Sequence, residues 1–447
     1  MTNPEQALPS AVPSREQIAR IEVGHTNISP GLARAIVAGF LVAIGIVPIV
    51  EWVGVRGRSA EGTTTAWSHL MDIPRQIRSS RADAASTAEA GVWARVVSAN
   101  RTVLAGFSRF ERTLDDESVL GRALRQPAQR ALTAWLGAGN ERVYPGRDGW
   151  AFYRPDVEYV TGEAFLRPAR LQRRIAAAAE WETPVQPDPR EALAGFKRDL
   201  DARGIALVLV PTPLKPGVHP EMFSSRFSDA AGVLQNPSFD AFVAEMRRIG
   251  VLVFDPAEAF AAARRSGPQY LAADTHWRPE AMEAAAERLA AFVAAHVPLP
   301  AAADPGYRIE RLEVRNLGDT SRMLELPDDS PLFPPEAVWL RRVLMPDRSP
   351  WRSARGADVL VLGDSFSNIY ALESMGWGTS AGFVEQLSFA LRRPVDRLVQ
   401  NDEGAFATRA MLQRDPSRLE GKRVVVYQFA SRELAFGDWK VLPLPRP

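Results

Sequence analysis

Hydrophobic residues in the second half of the chain fall in short, nearly continuous runs separated by amphipathic stretches. Ile205 to Val210, Val251 to Phe254, Val359 to Leu362, Arg397 to Gln400 and Arg423 to Phe429 read as strands covered on both faces. Between them, Arg190 to Arg203, Ser238 to Ile249, Pro279 to about Ala295 and Ser380 to Leu391 read as helices. Strands that alternate with helices predict a parallel sheet flanked by helices, an α/β fold. This pattern opens at Val143, where Asp148-Gly149 signals a turn into the aromatic strand Ala151-Phe152-Tyr153, so a domain is expected over 143–447.

Upstream the pattern changes. From Trp67 to about Asn140 the chain is rich in Ala, Arg, Leu and Glu, with no proline between Pro74 and Pro127. It predicts amphipathic helices, with Trp93, Val96, Val97, Val103 and Leu104 on one face, forming a helical neck or cap over 54–142. Ala35 to Val50 carries no charge, and its apolar flanks bring it near the ~20 residues that span a bilayer, so a transmembrane helix is expected over 32–53. A cleaved signal peptide fits poorly, because more than thirty residues of mixed charge precede the run. Arginines flank it on both sides (Arg15, Arg20 and Arg34; Arg56 and Arg58), so charge counting does not orient it. Residues 1–31, with Pro4, Pro9, Pro13 and Pro30 among polar neighbours, are expected to form a disordered tail.

Composition narrows the function classes. With 54 basic and 53 acidic side chains in 447 residues, no global field favours nucleic acid. The absence of cysteine excludes disulfides, thiolate zinc sites and a cysteine nucleophile. No cofactor fingerprint is present, and none is expected.

The chemistry sits in two short segments. Gly363-Asp364-Ser365 follows the Val359 to Leu362 strand, which places the Ser365 hydroxyl at the carboxyl edge of a sheet with its own N–H available as an oxyanion donor. Asp274-Thr275-His276-Trp277 lies in a loop just before the helix opened by Pro279, so one loop can aim both an aspartate and a histidine. A serine hydroxyl needs an imidazole base, and the base needs a carboxylate to hold its tautomer. The competing readings are a turn with a helix cap for Gly-Asp-Ser and a cap with a core histidine for Asp-x-His. Two ligands in one loop, without a third His or Cys nearby, make a poor metal site, and no metal is expected.

The second domain resembles the SGNH, or GDSL-like, hydrolases, but Asp-x-His here precedes the serine instead of following it. That order resembles the alginate O-acetyltransferase family (AlgJ/AlgX-like). Further matching segments are Gly146 to Tyr153, Pro211-Thr212-Pro213-Leu214-Lys215-Pro216, Gly318-Asp319-Thr320-Ser321-Arg322-Met323-Leu324 and Val424 to Leu434. The resemblance covers about residues 143–439. It departs at Leu214, an extra residue before Lys215, and at Tyr427-Gln428, where a Trp-Glu pair is common.

What the resemblance implies is an SGNH-hydrolase-like acyltransferase in which Ser365 accepts an acetyl group, His276 is base and then acid, and Asp274 orients His276. The acceptor would be an exported polysaccharide, alginate or similar. The acetyl donor would be a multispanning membrane acyltransferase. The N-terminus would be cytoplasmic and the catalytic domain periplasmic, on a single pass through the inner membrane. Lys215, Trp277, Arg315, Asn316 and Tyr370 are candidates for the acceptor groove, since indole rings stack on sugars and a lysine can meet an acidic sugar; a packing tryptophan and a solvated lysine are the competing readings. The alternatives are an acetylesterase using the same triad and a non-catalytic glycan-binding scaffold of an export complex.

Overall fold

Five parallel strands carry the second half of the molecule, in the order β4-β3-β9-β7-β8. They are β3 (Ala206–Thr212), β4 (Leu252–Val253), β7 (Val359–Gly363), β8 (Asp396–Val399) and β9 (Val424–Ala430). The computed structural model describes residues 29–58, 66–85, 92–117, 119–178, 183–228, 230–327 and 329–445. It divides into two units, Met1–Arg125 and Gln126–Pro447.

In the first unit the described residues form helices α1 (Pro30–Arg58), α2 (Ala66–Ala85) and α3 (Val92–Glu117); α4 (Val119–Leu136) begins there and ends in the second unit. The apolar face expected on α3 is not covered among the described residues: Trp93 is 81% exposed and Val96 51%. Ile73 of α2 instead packs on Gly106 of α3, where an added Cβ would come within 2.5 Å of it. The span expected over 32–53 falls on α1, yet among the described residues no helix is long and apolar enough to cross a membrane. The transmembrane helix therefore has no support in the structure. The expected tail lies outside the described residues up to residue 28.

In the second unit every residue of β7 and β9 is buried. Val, Leu and Phe side chains on both faces of these strands meet helices, so no alternation with polar residues is possible. Helices α5 (Pro189–Asp201), α6 (Phe239–Arg248), α7 (Pro279–His296) and α8 (Phe383–Leu391) lie within a few residues of the expected ranges. Proline opens α5 and α7, where its missing N–H costs nothing. The hairpin of β1 (Val143–Pro145) and β2 (Ala151–Tyr153) turns through Asp148 and Gly149, both at positive φ. Its Ala151 N–H donates to Ala272 O at 2.9 Å, tying the opening of the domain to the Asp-x-His loop.

One element is not legible from apolar runs. An antiparallel ribbon pairs β5 (Arg308–Asn316) with β6 (Glu336–Leu344), and much of β5 is solvent-exposed. The C-terminal end of β5 leads into the Gly318-Asp319 segment, whose Asp319 meets the Asp-x-His loop.

Candidate active site

Ser365 opens a single helical turn, Ser365–Asn368, directly after the carboxyl end of β7. Gly363 is needed at this bend because an added Cβ would lie 2.4 Å from Ser367 Oγ. Asp364 caps the turn by accepting the Phe366 N–H at 2.9 Å, and it also accepts Ala430 N–H at 2.6 Å and Gln428 Nε2 at 2.9 Å. Gln428, buried in β9, completes the support: Nε2 donates to Thr212 Oγ1 at 2.9 Å, and Oε1 accepts Asp364 N–H at 3.1 Å and Ser367 Oγ–H at 2.7 Å. The Ser365 N–H, at the first helical position, has no intrahelical acceptor and stays available to an oxyanion.

The base loop is closed by a bridge between Tyr270 and Trp277 and by Leu271 N–H donating to His276 O at 3.1 Å. Beneath it Lys215 donates to the carbonyls of Ala151 and Ala272, each at 2.6 Å, and of Asp274 at 3.0 Å. Asp274 Oδ1 accepts the His276 N–H at 3.0 Å and meets His276 Nδ1 at 2.7 Å. Its Oδ2 accepts Asp319 N–H and Trp377 Nε1–H, both at 3.0 Å. His276 Nε2 lies 2.9 Å from Ser365 Oγ, although 89 residues separate the two in sequence. Carboxylate, imidazole and alcohol are thus brought into one relay geometry.

Burial alone would raise the Asp274 pKa, but hydrogen bonds and charge from His276 win and hold it down at about 2. For His276, burial pulls the imidazole down, while the Asp274 hydrogen bond and the charges of Asp274 and Asp319 more than restore it, so the net direction is up. Asp319 is pushed up to about 6 by burial and by the charge of Asp274. Ligand atoms of Asp274, His276 and Asp319 lie within 4.8 Å of one another. Both Asp274 oxygens already accept N–H groups, however, so a metal there would strip those donors of their partners; the donor set fits a hydrogen-bonded relay.

The residues expected in an acceptor groove separate into two groups. Lys215, Trp277 and Tyr370 are buried and have their polar atoms paired inside the protein. Burial lowers the Lys215 pKa to about 7, and its ammonium, spent on three carbonyls, presents nothing to a ligand. Trp277 Nε1–H donates to Phe366 O at 3.1 Å, and Tyr370 O–H donates to Trp277 O at 2.6 Å. These two wedge the base loop against the serine turn, which corrects their expected role in sugar contact. Arg315 is exposed at the end of β5; Asn316, half-buried, accepts from Arg322 at 2.7 Å.

Four supports escaped sequence reasoning: Asp364, Gln428, Trp377 and Arg432. Arg432 pairs with the buried Asp156 at 2.9 Å and lines a cleft of about 40 Å³ with Ser365, Gln400, Asn401 and Thr408. Only Asp364 had a usable signal, as the residue before the serine in a strand-turn-helix segment.

Residues 143–431 match the family described as SGNH hydrolase-like domain, acetyltransferase AlgX. The chain is 26% identical over 301 residues to the probable alginate O-acetylase AlgJ of Pseudomonas aeruginosa, covering 66% of this chain and 71% of that protein. It is likewise 26% identical over 299 residues to the probable alginate O-acetylase AlgJ of Pseudomonas syringae, covering 66% and 70%. Among solved structures, the O-acetyltransferase domain of Pseudomonas putida AlgJ shares the fold, with a TM-score of 0.50 and 24% identity over 66% of this chain and 92% of that one. With a family match across most of its length and a parallel-sheet fold of the same kind, this chain belongs to the AlgX family of SGNH hydrolase-like acetyltransferases and is an acyltransferase.

Proposed function

We propose that the chain moves acetyl groups onto hydroxyls of an exported polysaccharide, alginate or a similar exopolysaccharide, through an acetyl-serine on Ser365. The reading rests on one observation above all, the 2.9 Å contact of Ser365 Oγ with His276 Nε2, backed by Asp274 at 2.7 Å from Nδ1. His276 takes the hydroxyl proton as Oγ bonds the acetyl carbon, and the Ser365 N–H faces the oxyanion. The donor's oxygen then leaves with the proton from His276. In the second half a sugar hydroxyl gives its proton to His276 and attacks the acetyl carbon. The bond to Oγ breaks and His276 returns the proton to serine. In this reading residues 143–447 work in the periplasm, and a multispanning membrane acyltransferase supplies the acetyl groups.

Incubating the full-length protein with an acetyl donor, with and without polysaccharide oligomers, tests the proposal. Acetylated oligomer is the expected product, and an acetyl adduct on Ser365 should appear when acceptor is withheld. Acetate release at a rate indifferent to acceptor would identify an esterase. Survival of activity in Ser365→Ala would sink the serine assignment itself.

A further inference from the structure

Behind the imidazole stands a second carboxylate that this relay does not use. Asp319 Oδ2 lies 3.7 Å from His276 Nδ1, on the ring nitrogen that faces Asp274. The segment reaches this position because Gly318 has no side chain: an added Cβ would sit 1.8 Å from Ala273 O. Contacts then run both ways. The Asp319 N–H donates to Asp274 Oδ2 at 3.0 Å, Asp319 Oδ1 accepts the Thr275 N–H at 2.7 Å, and the Ser321 N–H donates to Ala273 O at 3.3 Å.

Resting on the function proposed above, we propose that Asp319 is a positioning residue that locks the base loop and stabilises the imidazolium formed whenever His276 holds the serine or sugar proton. Two carboxylates against one ring are costly while the ring is neutral, and the cost is relieved when it becomes a cation. The two differ in solvent access, since the Asp274 side chain is 2% exposed and that of Asp319 28%. Other charged and titratable groups act on this cluster. Lys215 lies beneath the loop and interacts with both carboxylates; Tyr153 of β2 feels Asp319; Arg432, after β9, opposes protonation of His276; and His276 acts on Asp156. With Asp274 held at about 2 and Asp319 at about 6, both are ionised above pH 6.5, where His276 takes up its proton.

A purely structural Asp319 would only pin Thr275. Asp319→Asn keeps an oxygen for that N–H and removes the charge, so the two roles separate in the pH profile of kcat/KM for p-nitrophenyl acetate with full-length protein. We expect the acidic limb to move down by about one pH unit and the plateau to fall about tenfold. A limb that stays in place, with the variant folded by thermal unfolding, overturns the proposal. Should that variant fail to fold, Asp319→Ser, which also offers the Thr275 N–H an oxygen without a charge, decides in the same assay: the limb must again move down, and a limb that stays in place overturns the idea. Ser365→Ala in the same assay keeps the readings apart, because activity surviving there removes the relay, whereas loss there with an unmoved Asp319→Asn limb removes only Asp319's charge role.

Discussion

The two halves of the relay are held by different physics. Ser365 stands on a turn braced by the Gln428 amide, which gives and takes four hydrogen bonds, and by the Asp364 cap, which accepts the Phe366 and Ala430 N–H groups. Asp274 and His276 stand on a loop braced by charge, with Lys215 below it and Asp319 beside it. A nucleophile must keep one direction at every pH, and amide networks do not titrate. A base must change charge during each turnover, so its surroundings have to stabilise a cation that exists only part of the time. The difference teaches that the serine side supplies direction and the histidine side supplies pH response.

The strongest break of this comparison is Ser365→Ala, which should lower kcat by roughly 10³-fold or more in the oligomer acetylation assay. Lys215→Met comes next. It takes the Lys215 donor from the buried carbonyls of Ala151 and Asp274, while Ala272 O keeps the Ala151 N–H, so thermal or urea unfolding should report a loss of roughly 2 to 5 kcal/mol. A smaller effect is expected at Gln428→Leu, which should cost roughly 2 kcal/mol and reduce the plateau rate while leaving the acidic limb where it is. Movement of that limb would show that the serine turn also sets the charge of the imidazole. In the wild type kcat/KM should fall about tenfold per pH unit below a limb lying above 6.5, because folding raises the His276 pKa and the protonated ring cannot accept a proton. A limb below 6.5 would mean that burial, not Asp274, dominates the ring.

Legibility followed the kind of signal each residue leaves. Ser365, Asp274 and His276 could be singled out because each sits in a short segment whose chemistry is local: a strand followed by Gly-Asp-Ser, and an Asp-x-His before a proline-opened helix. For Lys215, Trp277 and Tyr370 residue type alone points to a groove. Their polar atoms turn out to be satisfied by backbone carbonyls of distant segments, which no spacing rule reveals. Gln428 read as a mere departure from a family pattern, yet it supports the nucleophile turn from 61 residues away, measured to Ser367.

The order of apolar runs along the chain was sufficient to determine a parallel α/β sheet with a serine at one carboxyl edge, because burial on both faces demands continuous hydrophobic strands and helices to cover them. Which carboxylates meet the imidazole, which lysine is sealed beneath the loop and which aromatic rings wedge rather than bind were decided only in three dimensions. Those outcomes depend on contacts closed across dozens to hundreds of residues, and a side chain's type does not say whether its polar atoms end against solvent or against a carbonyl.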